Sequence, residues 1–126
     1  SNSHPMFGVV TEWYYRWLGG IRPHPDFPGF KEFYLNPYTP DGLNYVKTNY
    51  KSPYGNIISN WKKSEKSIIY NFEIPNNTVA RVSIPMSTYQ SISVIKSGYN
   101  QDEIYDFQDG KFKLSSGVYT VKISNL

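Results

Sequence analysis

LNYVKTNYKSPYGNIISNWKKSEKSIIYNFEIPNNTVARVSIP, residues 43–85, decides the fold, because apolar and polar residues alternate along it longest and turn signals fall in it most regularly. It reads as four consecutive strands. Residues 44–50 set Tyr45, Lys47 and Asn49 against Val46, Thr48 and Tyr50, and residues 56–62 set Ile57, Ser59 and Trp61 against Ile58 and Asn60. Between them Ser52-Pro53-Tyr54-Gly55 is a turn, with proline presetting φ and glycine taking a positive φ. Residues 67–74 alternate Ile68, Tyr70, Phe72 and Ile74 against Ser67, Ile69, Asn71 and Glu73, and Pro75-Asn76-Asn77 leads into a fourth strand at 78–84. A period of two along the whole stretch predicts one face in and one face out, the pattern of an antiparallel meander.

The rest of the chain extends this sheet in both directions. Residues 30–36 read as a strand, with Phe33 and Leu35 opposite Glu32 and Tyr34; residues 91–95 and 116–124 are strands by alternation, and 112–114 a shorter one. Residues 98–110, with Asp102, Glu103, Asp106 and Asp109, read as a solvated loop or hairpin. About seven short strands at this spacing predict a mainly β protein, an antiparallel β-sandwich of jelly-roll type. The composition agrees: 126 residues make one core, and 12 Tyr, 7 Phe and 3 Trp favour sheet over disorder.

Residues 5–18 follow a different period. Met6, Val9 or Val10, Trp13 and Trp17 fall at helical spacing, and Phe7, Val10, Tyr14 and Leu18 make a second stripe beside them. One N-terminal α-helix is predicted, with Ser3 as N-cap, Pro5 in the first turn and Gly19-Gly20 as the stop. Two adjacent apolar stripes call for burial around most of the girth, more than one sheet face supplies. The helix is therefore expected to have other helices as its natural partners, and the isolated chain to self-associate through Met6, Val10, Trp13 and Trp17. The alternative is that it packs across the sheet's open face. Residues 21–29 carry three prolines and a glycine and are expected to lack regular structure. The chain divides into a helical piece, 1–22, a linker, 23–29, and a sandwich, 30–126.

Several function classes find no support. The charge of +3 is small and the cations are scattered, Lys62-Lys63 being the densest pair, so solvated lysines explain them better than a nucleic-acid interface. There is no cysteine, no apolar run of membrane-spanning length, and only His4 and His24 as imidazole ligands, so neither metal nor cofactor is implied. The start at Ser1-Asn2, without Met or signal peptide, reads as a cut piece, with cytoplasmic and exported locations both open. Hydrolysis by paired carboxylates needs two acids facing each other across a cleft, and none of the ten acids is so placed: Glu12 is on the helix near Arg16, Glu32, Glu65 and Glu73 alternate outward on or beside strands, and those of 102–109 crowd a polar loop. No catalytic residue is expected. A binding reading remains open, in which Trp61 with Tyr45, Tyr50 or Tyr54 forms a flat platform for a sugar ring; against it, Trp61 shares the parity of Ile57, and a Trp at such a strand position is more often core.

Specific strings then carry a resemblance. Ser3-His4-Pro5-Met6-Phe7-Gly8, Glu12-Trp13-Tyr14-Tyr15-Arg16-Trp17-Leu18-Gly19-Gly20-Ile21-Arg22-Pro23 and Pro28-Gly29-Phe30-Lys31 resemble the C-terminal portion of bacterial α-L-rhamnosidases, glycoside hydrolase family 78. Tyr45-Val46-Lys47, Ser52-Pro53-Tyr54-Gly55, Ser59-Asn60-Trp61-Lys62 and Ile74-Pro75-Asn76-Asn77-Thr78 are similar to that family's C-terminal β-sandwich. The resemblance implies that residues 5–18 are the last helix of an (α/α)6 catalytic barrel that releases terminal α-L-rhamnose with inversion. It implies that the catalytic carboxylates lie upstream, and that His4 matches a histidine lining the rhamnose pocket. The partner so implied is the catalytic barrel of the same polypeptide.

Overall fold

The computed structural model describes residues 14–26, 28–85, 91–98, 103–104 and 109–124. One wide π-type turn, Tyr14–Leu18, leads into β1 (Ile21–Pro23), a 3-10 turn (Pro28–Phe30) and β2 (Glu32–Leu35). Then follow β3 (Tyr45–Ser52), β4 (Gly55–Lys63), β5 (Ser67–Ile74), β6 (Val79–Ser83), β7 (Ser91–Lys96), β8 (Glu103–Ile104), β9 (Lys111–Leu114) and β10 (Gly117–Ser124). Two sheets result, one in the order β1-β2-β6-β9 and the other β3-β4-β5-β10-β7-β8. Their inner faces share one core, with Phe33, Leu35, Ala80 and Val82 from the first sheet and Ile57, Trp61, Tyr70, Phe72 and Val121 from the second. This is the expected mainly β sandwich, and burying each large side chain contributes roughly 1.5–3 kcal/mol.

Burial follows the alternation of the sequence. Val46 and Thr48 are buried while Tyr45, Lys47 and Asn49 are exposed, and Ile57, Ser59 and Trp61 are buried between more accessible neighbours. The predicted turn closes the β3–β4 hairpin: Ser52 pairs with Gly55, whose φ is +131°, and the Ser52 hydroxyl donates to the Gly55 carbonyl at 2.7 Å.

Pairing, by contrast, departs from the meander. The β3, β4 and β5 strands are consecutive antiparallel neighbours, but the fourth strand of the stretch, β6, lies in the other sheet and runs parallel to β2. At Pro75-Asn76-Asn77-Thr78 the backbone of Asn77 is left-handed, φ +64°, and the Thr78 hydroxyl donates to the Pro75 carbonyl at 2.7 Å. This corner takes the chain across the core. The edge of β5 is taken instead by β10, which pairs along its full eight residues from Gly117 with Ile74 to Ser124 with Ser67. A five-residue β6 would leave part of that edge unpaired.

Two N-terminal expectations change as well. Residues 21–23, read as helical piece and linker, form an edge strand, where Pro23 needs no donor on its open side. Of the helix expected over 5–18, Met6, Val10 and Trp13 lie outside the described residues. The described part, Tyr14–Leu18, is a single turn in which the Gly19 N–H donates to the Tyr14 carbonyl at 2.9 Å.

Candidate functional site: the entry of the chain into the sandwich

Where the N-terminal turn meets the sheets, five consecutive carbonyls find donors from different parts of the fold. The Arg16 carbonyl accepts from Arg22 Nε at 3.2 Å, and that of Trp17 from the Tyr38 N–H at 3.1 Å. The Leu18 carbonyl accepts from Trp61 Nε1 at 2.8 Å, that of Gly19 from the Ser59 hydroxyl at 2.5 Å, and that of Gly20 from the Asn36 N–H at 3.0 Å. The last carbonyls of a helical turn have no partner within it, so the sandwich itself acts as the C-terminal cap. Thr48 completes the cluster by donating its hydroxyl to the Ser59 carbonyl. Leu18, Ser59, Trp61 and Thr48 are all buried, so these polar groups are cut off from water and each lost bond leaves an unsatisfied atom.

The two glycines make this approach possible. A Cβ on Gly19 would stand 2.2 Å from Thr48 Oγ1, and one on Gly20 would stand 2.1 Å from the Asn36 backbone carbon. Gly20 also has φ +71°. Sequence reasoning found Gly19-Gly20 as a helix stop and put Thr48 on the same face as Val46 and Tyr50, and Ser59 on the same face as Ile57 and Trp61. It missed that inward polar residues beside Trp61 hold the entering backbone; two hydroxyl residues at core positions were the available signal.

Around this buried entry the surface is aromatic. Trp17 is 47% exposed with the Arg22 guanidinium 4.3 Å from its ring centroid, and Tyr14 and Tyr38 are exposed beside it in the chain or through the Trp17–Tyr38 backbone bond. Tyr15 turns inward onto Tyr50, with ring centroids 5.0 Å apart, and Phe30 packs on the same ring at 4.8 Å.

The residues named for a sugar platform do not come together. Trp61 is 1% exposed and belongs to the core, its ring having no open face for a ligand. Tyr50 points inward, Tyr45 (63% exposed) lies on the outer face at the start of β3, and Tyr54 occupies the turn at the other end of the hairpin. His4 lies outside the described residues. Among the described residues no group of three or more His, Cys, Asp or Glu gathers as a metal site would require, and no helix is long and apolar enough to cross a membrane. Glu32 forms an ion pair with Arg81 on the outer face of the four-stranded sheet, and this hydrogen bond holds its carboxyl below the ordinary value.

Comparison with known proteins gives a consistent picture. The family model described as bacterial alpha-L-rhamnosidase C-terminal domain matches residues 20–98. Two proteins of Formosa agariphila named alpha-L-rhamnosidase are 30% and 28% identical to the chain over 94 residues, 75% of the chain and 10% of each relative. The chain thus spans about a tenth of the length of these curated relatives. Among solved structures, an alpha-L-rhamnosidase from Dictyoglumus thermophilum superposes with a TM-score of 0.72 at 23% identity, covering 95% of this chain and 14% of that one. The Streptomyces avermitilis alpha-L-rhamnosidase complexed with L-rhamnose gives 0.74 at 19% identity, covering 94% and 11%. At these identities the superpositions speak for the fold. With most of its sequence matched by the family model, the chain belongs to the bacterial α-L-rhamnosidase C-terminal domain family.

Proposed function

We propose that this sandwich is a non-catalytic C-terminal part of an α-L-rhamnosidase that anchors and stabilises a catalytic body lying upstream in the same polypeptide, where terminal α-L-rhamnose is hydrolysed. The observation that carries this reading is the entry site: five successive carbonyls and two glycines lock the incoming chain to the core. A flexible tether would need none of these contacts. A segment held this rigidly transmits the position of whatever precedes it, and the exposed Tyr14, Trp17 and Tyr38 beside it supply apolar area for that body to cover. The resemblance of the upstream residues to a barrel helix supports the same partner.

The test compares the 126-residue chain with the longer rhamnosidase polypeptide. The chain alone is expected to give no turnover of an aryl α-L-rhamnoside. Replacing Trp17 and Tyr38 together by Ser is expected to cost the chain alone little, both side chains being about half exposed, and to lower the inactivation temperature of the longer enzyme. Turnover by the chain itself, or an inactivation temperature untouched by the double substitution, would overturn the reading.

A further inference from the structure

The outer face of the four-stranded sheet carries a second feature, which adjoins the entry contacts through Arg22 and Asn36. Register aligns Arg22, Tyr34, Arg81 and Lys113 in one row across β1, β2, β6 and β9, with Ser83 beside Lys111 in a neighbouring row. Their sequence neighbours Phe33, Leu35, Ala80, Val82 and Leu114 are buried, so the row faces outward. Tyr34, Asn36, Arg81, Ser83, Lys111 and Lys113 line a cleft of about 490 Å³, within the size range of small-ligand sites.

Cations outnumber acids at the cleft. Arg81, Lys111 and Lys113 line it and no carboxylate does, although Glu32 pairs with Arg81 and Asp109, beside it, accepts from the Lys111 backbone N–H at 3.1 Å. Only the Nε edge of the Arg81 guanidinium is used, so both Nη groups are without a partner among the described residues and form the fork that matches a planar or tetrahedral oxyanion. The Tyr34 ring is held in place by His24, stacked at 5.1 Å and 15°. Ser83 adds a hydroxyl to the lining. Cations, the stacked Tyr34 ring and the Ser83 hydroxyl in a space of this volume suit a sugar unit bearing an anionic group better than an extended peptide, which would need a longer groove.

We propose that this cleft binds an acidic saccharide, its carboxylate or sulfate on Arg81 and Lys113 and its ring against Tyr34. The site is independent of the anchoring role: it asks nothing of the upstream body, and its failure would leave that role standing.

The experiment is an NMR-detected titration of the 126-residue chain with digalacturonate, with glucose 6-sulfate and with L-rhamnose as the neutral control. Saturable shifts at Tyr34, Arg81 and Lys113 in the millimolar range are expected with at least one acidic sugar, weakening as salt rises, and none with rhamnose. Whether digalacturonate or glucose 6-sulfate binds distinguishes carboxylate from sulfate as the anion. Lys111→Gln and Lys113→Gln, both at exposed positions, are each expected to weaken binding about threefold, and Arg81→Gln about tenfold or more. The Lys variants keep the test valid should Arg81→Gln disturb the fold by freeing Glu32. No saturation with either acidic sugar, equal shifts with rhamnose, or binding indifferent to the Lys variants would overturn the proposal. So would displacement of the sugar by an oligoglutamate peptide at lower concentration, which would assign the cleft to an acidic protein segment.

Discussion

Replacing Gly19 by Ala tests whether the entry site is as tight as the geometry says. The new Cβ would stand 2.2 Å from Thr48 Oγ1 and 3.0 Å from Thr48 Cβ and Cγ2, where ordinary contact begins at 3.4 Å, an overlap of 1.2 Å on the hydroxyl. Thr48 is buried and cannot swing into solvent, and turning it aside breaks its bond to the Ser59 carbonyl. Overpacking of this kind costs about 1–3 kcal/mol and the lost bond about 1 kcal/mol more, together about 2–4 kcal/mol. At about 2.1 cal/mol/K per residue, a chain of this length melts about 4 °C lower for each kcal/mol, so thermal unfolding followed by circular dichroism should fall by about 8–15 °C. Adding Thr48→Ala to Gly19→Ala removes Oγ1, the closest atom, and Cγ2, and should restore part of the loss, a coupling that additive effects would not produce. Gly20→Ala should be worse, since it meets main chain and not a side chain, whereas Gly42→Ala, with nothing within 4 Å, carries only the strain of its φ of +86°. A Gly19→Ala melting point within about 2 °C of the native chain, or no rescue by Thr48→Ala, would refute the reasoning.

Two further outcomes follow from the same contacts. Trp61→Phe keeps the ring but removes the donor to the buried Leu18 carbonyl and leaves a void, and should cost about 2–4 kcal/mol in urea unfolding, against under about 0.5 kcal/mol for Tyr45→Ala on the exposed face of β3. The Glu32 carboxyl is held below its ordinary value of 4.5 by the hydrogen bond from Arg81, so its contribution is present above that value and is lost as pH falls through the lower, folded one. Urea unfolding from about pH 5 downward should therefore show the native chain losing stability more steeply than Glu32→Gln; parallel slopes would show that the pair does not couple to folding.

Strand positions and faces were legible in the sequence because they depend on a local period: Val46, Ile57, Ser59, Trp61, Tyr70 and Phe72 are buried where alternation placed them. The family, too, was legible, in strings such as Trp17-Leu18-Gly19-Gly20 and Ser59-Asn60-Trp61-Lys62. Which strands pair was not. Alternation says which side of a strand faces inward and nothing of the neighbour it meets, so only the assembled sheets sent β6 to lie parallel to β2 and brought β10 alongside β5. The entry site was hidden for the same reason. The Trp61 bond to Leu18 and the Ser59 bond to Gly19 join residues forty or more positions apart, and the cationic cleft draws on β2, β6 and β9. A one-dimensional pattern records what each residue prefers, while a site is made by distances between residues that the chain brings together only on folding.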